Sequence, residues 1–576
     1  LEIVAEVAGP VDWVSRFADE VIAAAEPGRP VVCASGLSPS GPIHLGNLRE
    51  VMTPHLVADE IRRRGHEVVH LISWDDYDRF RKVPAGIPPE WAEHIGKPLT
   101  AVPAPPGSRF PNWAEHFKAA MIDSLAEMGV EYRGISQTEM YTCGAYRDQV
   151  LLAMRERARI DEILDRYRTK GRPAKGPKQS QKLDEAEAAA AAAAEEGSGA
   201  ADEDDGTATT GYFPYKPYCG ECGKDLTTVT AYDDQSTAMA YECTLDGFTE
   251  TVLLSEFNRG KLVWKVDWPM RWAYEGVLFE PSGVDHSSPG SSFVVGGQIV
   301  SEVFGGRQPI GPMYAFVGIS GMAKMSSSRG AVPTPADALG IMEPALLRWL
   351  YARRRPNQSF KIAFDAEIQR MYDEWDALAA KIAAGTAAPA DEAAHDRAVR
   401  TAGTTLPVTP VPIAYRTLAS IVDITTGDDE QTLRILHDLD PQRPVTALAE
   451  VRPRLDKAQV WVNTQMDADA RTQVRTEPDK ELLASLEEDQ RESLRLLAAG
   501  LTGNWSLSGL TTLLYGVPKT MAGLPADTKP TNELKVAQRA FFVLIYRLLI
   551  GKETGPRLPT LLLAVGADRL RTLIGQ

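Results

Sequence analysis

A chain of 576 residues is too long for one hydrophobic core and predicts three or four domains. Its 44% hydrophobic and 24% charged residues are those of an ordinary soluble globular protein, which excludes a fibrous or wholly disordered one. The formal net charge of -16 excludes a uniformly basic nucleic-acid binder. Basic clusters at Arg62-Arg63-Arg64, Arg79 to Lys82, Arg155 to Lys182 and Arg353-Arg354-Arg355 still leave room for a local basic face. No basic stretch followed by an apolar core opens the chain, so no secretory signal is expected. Five cysteines, an odd number, fit a reducing cytoplasm better than a disulfide framework.

In chain order, Pro30 to Ser35 reads as a short buried strand and Asn47 to Gly65 as a helix. Between them, Ser38-Pro39-Ser40-Gly41-Pro42-Ile43-His44-Leu45-Gly46-Asn47 forms a strand-to-helix turn, where unpaired helix N–H groups and the helix dipole favour phosphate. Glu67 to Ile72 is a second strand and Trp113 to Met128 a helix, an alternation that predicts a parallel, doubly wound sheet. The carboxylates Asp75, Asp76 and Asp78 follow the second strand. Their spacing admits either a metal cluster or a loop lining a pocket.

Beyond a charged helix from Leu151 to Arg168, the Ala-, Glu- and Asp-rich tract 182–211 has too few large apolar groups to offset its ordering entropy, and predicts a disordered or loosely helical insertion. Cys219-Gly220-Glu221-Cys222-Gly223 and Cys243-Thr244-Leu245-Asp246-Gly247 then have the spacing of a zinc ribbon's two knuckles, with Asp246 at the fourth ligand position. A Cys219, Cys222, Cys243, Asp246 zinc site and a metal-free ribbon both remain open. From Lys261 the alternating pattern resumes through Val263-Trp264-Lys265-Val266 and Ser292-Phe293-Val294-Val295 to a buried strand, Tyr314 to Ile319. A Gly-rich loop and Lys324-Met325-Ser326-Ser327-Ser328 come next, one lysine and several hydroxyls suited to closing over a triphosphate. From about Asp365 to Gln576 the pattern is helical, and the apolar run Phe541 to Tyr546 meets Arg547 too soon to span a bilayer.

The pair HLGN and KMSSS resembles the HIGH and KMSKS motifs of class I aminoacyl-tRNA synthetases. The strings SGLSPSGPIHLGNLRE, ISWDDYDRFRKVP, KVDWPMRW and GVDH narrow the likeness to class I lysyl-tRNA synthetase, closely over roughly residues 10 to 365 and more loosely beyond. Two departures from the general motifs are Asn47 for the second motif histidine and Ser327 for the second lysine of KMSKS.

The resemblance implies an α/β chain with a Rossmann-type catalytic domain in two halves, 1–150 and 261–364, split by the connective insertion 151–260, and an all-α anticodon-binding domain at 365–576. It further implies that ATP with magnesium activates L-lysine to an adenylate, that tRNA(Lys) then receives lysine at its 3' end, and that no membrane is involved; a cytoplasmic monomer is expected. Catalysis would fall to His44, Asn47 and Lys324. ATP would be held by Pro39, Ser40, Gly41, His44, Gly46, Asn47, Lys324, Met325, Ser326, Ser327 and Ser328, and lysine by Gly36, Ser38, Glu50, Trp264, Asp285, His286 and Tyr314. A buried ammonium needs a counter-charge, and Glu50, one helical turn past Asn47, is placed to supply it. Without the resemblance, Glu50 reads equally as a first-turn glutamate complementing the helix dipole, and Trp264, Trp268 and Trp272 read as core aromatics. Two rivals make different demands: a ligase or nucleotidyltransferase acting on another small acid needs no long helical C-terminal region, and a non-catalytic tRNA-binding relative would lack His44, Glu50 or Lys324.

Overall fold

The computed structural model describes residues 9–168, 207–208, 211–286, 290–321 and 332–576. Three strands, β1 (Val31–Leu37), β2 (Val68–Trp74) and β3 (Arg133–Ser136), pair in parallel with β2 central to the three, Val31 opposite Val68 and Leu71 opposite Arg133. β1 and β2 are buried on both faces, as near-continuous apolar runs in a parallel sheet must be. On the other side of β1, parallel bridges join Cys33 to Phe279 and Phe279 to Ile310, and Ser282–Gly283 pairs in parallel with Met313–Tyr314. The sheet is thus doubly wound, and β1 lies where the strand order reverses, the place in such sheets where ligands bind beyond the strands' carboxyl ends.

Helix α1 (Trp13–Ala24) is capped by Asp12, whose carboxylate accepts from the Ser15 N–H. It packs on α2 (Leu48–Arg63), which follows a short 3-10 turn at Leu45–Asn47 and carries Glu50 in its first turn and Arg62 and Arg63 in its last, matching the helix dipole. Helix α3 (Trp113–Glu127), capped by Asn112, leads into β3.

Two segments of the resumed alternation are helices, and one expected strand is broken. Val263-Trp264-Lys265-Val266 opens a helix, α4 (Trp264–Glu275), with Val263 as its last extended residue. Ser292 opens another, α5 (Ser292–Glu302). Four-residue apolar runs do not separate strand from helix; the fourfold spacing of Trp264, Trp268 and Trp272 on one helical face does. The expected strand Tyr314 to Ile319 is broken in two, because Ala315 turns its carbonyl to the Arg49 guanidinium, 2.8 Å, and its N–H to the Pro356 carbonyl. Val317–Ser320 then pairs in parallel with Phe360–Ala363.

The insertion carries an antiparallel sheet of Thr227–Tyr232, Ala238–Cys243 and Thr249–Leu253, whose Val229 and Met239 share a buried cluster with Ile160 and Ile163 of the helix Arg157–Arg168 and with Tyr215 of the neighbouring strand Tyr215–Pro217. Of the tract 182–211, residues 182–206 and 209–210 lie outside the described residues. Thr207–Ala208 pairs antiparallel with Gly211–Tyr212.

By contacts the chain forms two compact units, Leu1–Leu339 with Pro344–Phe364 and Leu378–Leu406, and Gly340–Glu343 with Asp365–Ala377 and Pro407–Gln576. The first holds the parallel sheet and the ribbon. The second is helical, and its fully buried Arg454 bonds Glu343 at 3.1 Å and Asp376 at 2.8 Å. Phe541, Leu544 and Ile545 are buried in the helix Asn532–Ile550, as a core helix requires. Among the described residues no helix is long and apolar enough to cross a membrane.

Candidate active site

The turn after β1 is held by backbone contacts. The Leu45 N–H donates to the Pro333 carbonyl at 2.9 Å, the Leu45 carbonyl accepts from the Tyr351 hydroxyl at 3.2 Å, and the Ser40 carbonyl accepts from the Trp113 indole at 2.9 Å. These fix the entrance to α2, whose N-terminus faces a cavity of about 670 Å³, a size suited to a small-molecule site. Gly36, Ser38, Ser40, His44, Gly46, Asn47, Glu50, Trp264, His286 and Tyr314 all line it. Pro39 and Gly41 belong to the same turn without lining the wall. Lys324, Met325, Ser326, Ser327 and Ser328 lie outside the described residues, as does the Asp285 side chain; Val332, where description of the chain resumes, is part of the cavity wall.

Away from the turn the cavity is rich in carboxylates. Glu50 accepts from the Gly36 N–H at 3.2 Å and from the Tyr314 hydroxyl at 3.4 Å. Removal from water, then the nearby Glu280, push its carboxyl up to about 8. Glu280 accepts from two indoles, Trp268 at 3.0 Å and Trp272 at 2.7 Å, and burial lifts it to about 7. Asp75 is lifted by burial to about 6 although the Arg271 guanidinium lies 2.7 Å away. A Cβ at Gly36 would stand 3.6 Å from Glu50 and 3.7 Å from Asp75, inside the space these acids enclose. Trp264 stacks on Trp268 with centroids 5.2 Å apart, and Trp268 meets His286 edge-on at 5.8 Å, giving the cavity an aromatic wall. Three carboxylates all hard to ionise beside the Arg271 guanidinium make this part of the cavity acidic, while Arg79, Arg81 and Lys361 also belong to its wall.

The loop after β2 resolves differently for each acid. Asp75 faces the cavity. Asp76 is fully buried and pins β3, accepting from Lys118 and Ser136 at 2.6 Å and from the Thr138 N–H at 2.8 Å. Asp78 pairs with Lys261, which holds its carboxyl low against the opposing pull of burial. Among the described residues these three do not converge as a metal-holding group. Sequence reasoning missed Glu280. The signal was present in Trp268 and Trp272, two indole donors one helical turn apart that call for a shared acceptor.

The family described as tRNA synthetases class I (K) matches residues 11–404. The chain belongs to the class I tRNA synthetases of this type. It is 71% identical over its whole length to the lysine–tRNA ligase of Streptomyces coelicolor, also covered in full. It is 31% identical to the lysine–tRNA ligase of Pyrococcus horikoshii, over 96% of this chain and 97% of that one. Among solved structures, a glutamate tRNA ligase from Elizabethkingia meningosepticum aligns over 95% of this chain and 99% of its own at 12% identity and a TM-score of 0.39, too distant for anything to rest on it.

In this class I synthetase the ribbon's ligand atoms also converge. One reactive atom from each of Cys219, Cys222, Cys243 and Asp246 lies within 4.8 Å of all the others. Cys222 and Cys243 sulfurs are 3.7 Å apart, and Cys219 sulfur is 3.8 Å from an Asp246 oxygen. Tetrahedral zinc with bonds of about 2.3 Å sets ligands about 3.8 Å apart, so the four fit such an ion. Gly223 and Gly247 turn both knuckles with φ of 73° and 74°, and the Glu221 N–H donates to Cys219 sulfur at 3.3 Å, fixing its direction.

Proposed function

We propose that this chain is a lysine–tRNA ligase, activating L-lysine with ATP and passing it to the 3' end of tRNA(Lys). What supports this most directly is a cavity with a helix N-terminus and phosphate-suited turn on one side and a group of carboxylates hard to ionise on the other. Family membership supplies the reaction class.

In this reading the α-amino acid's carboxylate attacks the α-phosphate of ATP and expels pyrophosphate; the terminal ribose hydroxyl of tRNA then takes the lysyl group and releases AMP. No protein nucleophile is required, and the residues act by placement and electrostatics. His44, Gly46 and Asn47 line the phosphate side, with Pro39, Ser40 and Gly41 shaping the turn, while Lys324 and the hydroxyls of Ser326, Ser327 and Ser328, beside Met325, close from the loop. Glu50 faces the ε-ammonium, and Trp264, His286 and Tyr314 flank the chain, with Gly36 and Ser38 around them; a lysine-binding role for Asp285 rests on the sequence resemblance alone. Magnesium arriving with ATP supplies neutralisation of phosphate charge. Zinc on Cys219, Cys222, Cys243 and Asp246 would supply a structural cross-link of the ribbon, far in chemistry from the transfer itself. The proposal extends to the divisions 1–150, 151–260, 261–364 and 365–576, with the last reading the anticodon, and to a monomer in the cytoplasm, the compartment an odd cysteine count fits.

Amino-acid-dependent exchange of pyrophosphate into ATP, run across the standard amino acids, tests it. Lysine alone should support rapid exchange. Preference for another amino acid, or none, refutes the assignment.

A further inference from the structure

Resting on the lysine reading of the cavity, one carboxylate stands out that nothing above gives a role. Glu280 follows Phe279, the residue that bridges β1, and is 6% exposed. Its backbone N–H donates to the Ile310 carbonyl at 3.0 Å. Gly311 is required beside it, since a Cβ there would come within 2.4 Å of the Glu280 carbonyl. Both side-chain oxygens are engaged by indole N–H groups from one face of α4, so the carboxylate is fixed in direction. An anion buried at such cost needs a compensating charge. Among the described residues the guanidinium that acts on Glu280 is that of Arg271, and it is already shared between Asp75 and Asp267. Asp78 has its own cation in Lys261. Glu50, Glu280 and Asp75 therefore line the cavity around a guanidinium committed elsewhere, with Arg79, Arg81 and Lys361 also on its wall, and a ligand ammonium would complete the charge beside the three acids.

We propose that Glu280 is a specificity-determining residue for the amino-acid side chain: its indole-clamped carboxylate is a second, immovable negative charge behind Glu50 that selects a terminal ammonium over an uncharged tail. The clamp has a second effect. By holding Trp268 it also holds the stacked Trp264, which lines the cavity, so charge and aromatic wall are set by one group.

The test is pyrophosphate exchange with full-length Glu280→Gln, comparing lysine with norleucine, which has the same chain length and no ammonium. Gln keeps the size and removes the charge, and since its NH2 group cannot accept from the second indole, the charge effect is read against norleucine, which meets the same aromatic wall. Lysine KM should rise about tenfold more than norleucine KM, the effect of one charge acting through partly screened space, with the ATP KM within about twofold. Equal shifts for lysine and norleucine, or an unchanged lysine KM, overturn the proposal. Should Glu280→Gln fail to fold by circular dichroism, Glu280→Asp keeps the charge and must retain lysine preference within about threefold of the parent; loss of preference with charge retained also overturns it. Glu50→Gln separates the two levels of argument. If Glu50→Gln weakens lysine and Glu280→Gln does not, only the role of Glu280 falls; if neither affects lysine, the cavity is not the lysine site.

Discussion

Replacing Glu50 by Gln removes a charge while preserving shape. The amide oxygen can still accept from the Gly36 N–H, and the amide nitrogen can donate to the Tyr314 hydroxyl, so both partners of the carboxylate survive. What disappears is attraction to the lysine ammonium. At about 4 Å and an effective dielectric constant near 20 this is about 4 kcal/mol, and Glu280 and Asp75 remain to reduce the loss to about 3 kcal/mol, or roughly a hundredfold in affinity. The loss depends on pH with a definite sign. Glu50 has its carboxyl raised to about 8, so below that pH the free wild-type site is mostly protonated and must shed a proton to hold the cation. One pH unit below this value costs about 1.4 kcal/mol of the advantage. The ratio of lysine KM between variant and wild type should therefore grow from about tenfold at pH 7 to nearly a hundredfold at pH 8.5, measured by pyrophosphate exchange with saturating ATP. A ratio below threefold, or one flat across this range, would refute the reasoning.

Three further outcomes follow from other sites. Lys324→Ala should slow single-turnover adenylation about a hundredfold, or about 3 kcal/mol, with an unchanged melting temperature; unchanged adenylation removes the loop lysine from the chemistry. Protein purified without added zinc should carry about one zinc per chain, released by chelator with loss of ribbon protection from proteolysis, whereas a value near zero identifies a metal-free ribbon. Asp76→Ala should destabilise the fold by about 3 kcal/mol in urea unfolding, since Lys118 would keep only Glu115 at 2.8 Å as partner; a loss under about 1 kcal/mol contradicts the pinning of β3.

Legibility in the sequence followed the range of the interactions. β1, β2 and the turn into α2 were readable because a buried strand, a Ser-Pro-Gly turn and a helix start are local signals. The knuckles were equally plain, since Cys-x-x-Cys-Gly specifies its own loop. At Val263 to Val266 the alternating pattern leaves strand or helix open, because the deciding information, three tryptophans spaced by four, extends beyond the apolar run itself. Asp75, Asp76 and Asp78 were indistinguishable as letters. Their separate fates are set by Arg271, Lys118 and Lys261, each at least 42 positions away along the chain. Glu280 is a different case: its partners Trp268 and Trp272 lie only 12 and 8 positions away, but the turn that brings it back against that face of α4 is not written in the letters between them.

The bond from the Leu45 N–H to the Pro333 carbonyl joins groups whose codons are separated by nearly three hundred others. On a ribosome adding about 5 to 20 residues each second, the turn at Leu45 waits on the order of tens of seconds for its partner to emerge. The ribbon's strand pairs are separated by short loops and can close as they appear, whereas β1 remains an open edge until Phe279 arrives. During that interval β1, though paired with β2 on one side, presents an apolar open edge on the other, a template for mispairing with other chains. Chaperone occupancy in selective ribosome profiling should accordingly rise after β1 emerges and fall once the segment through Phe279 and Ile310 has left the exit tunnel.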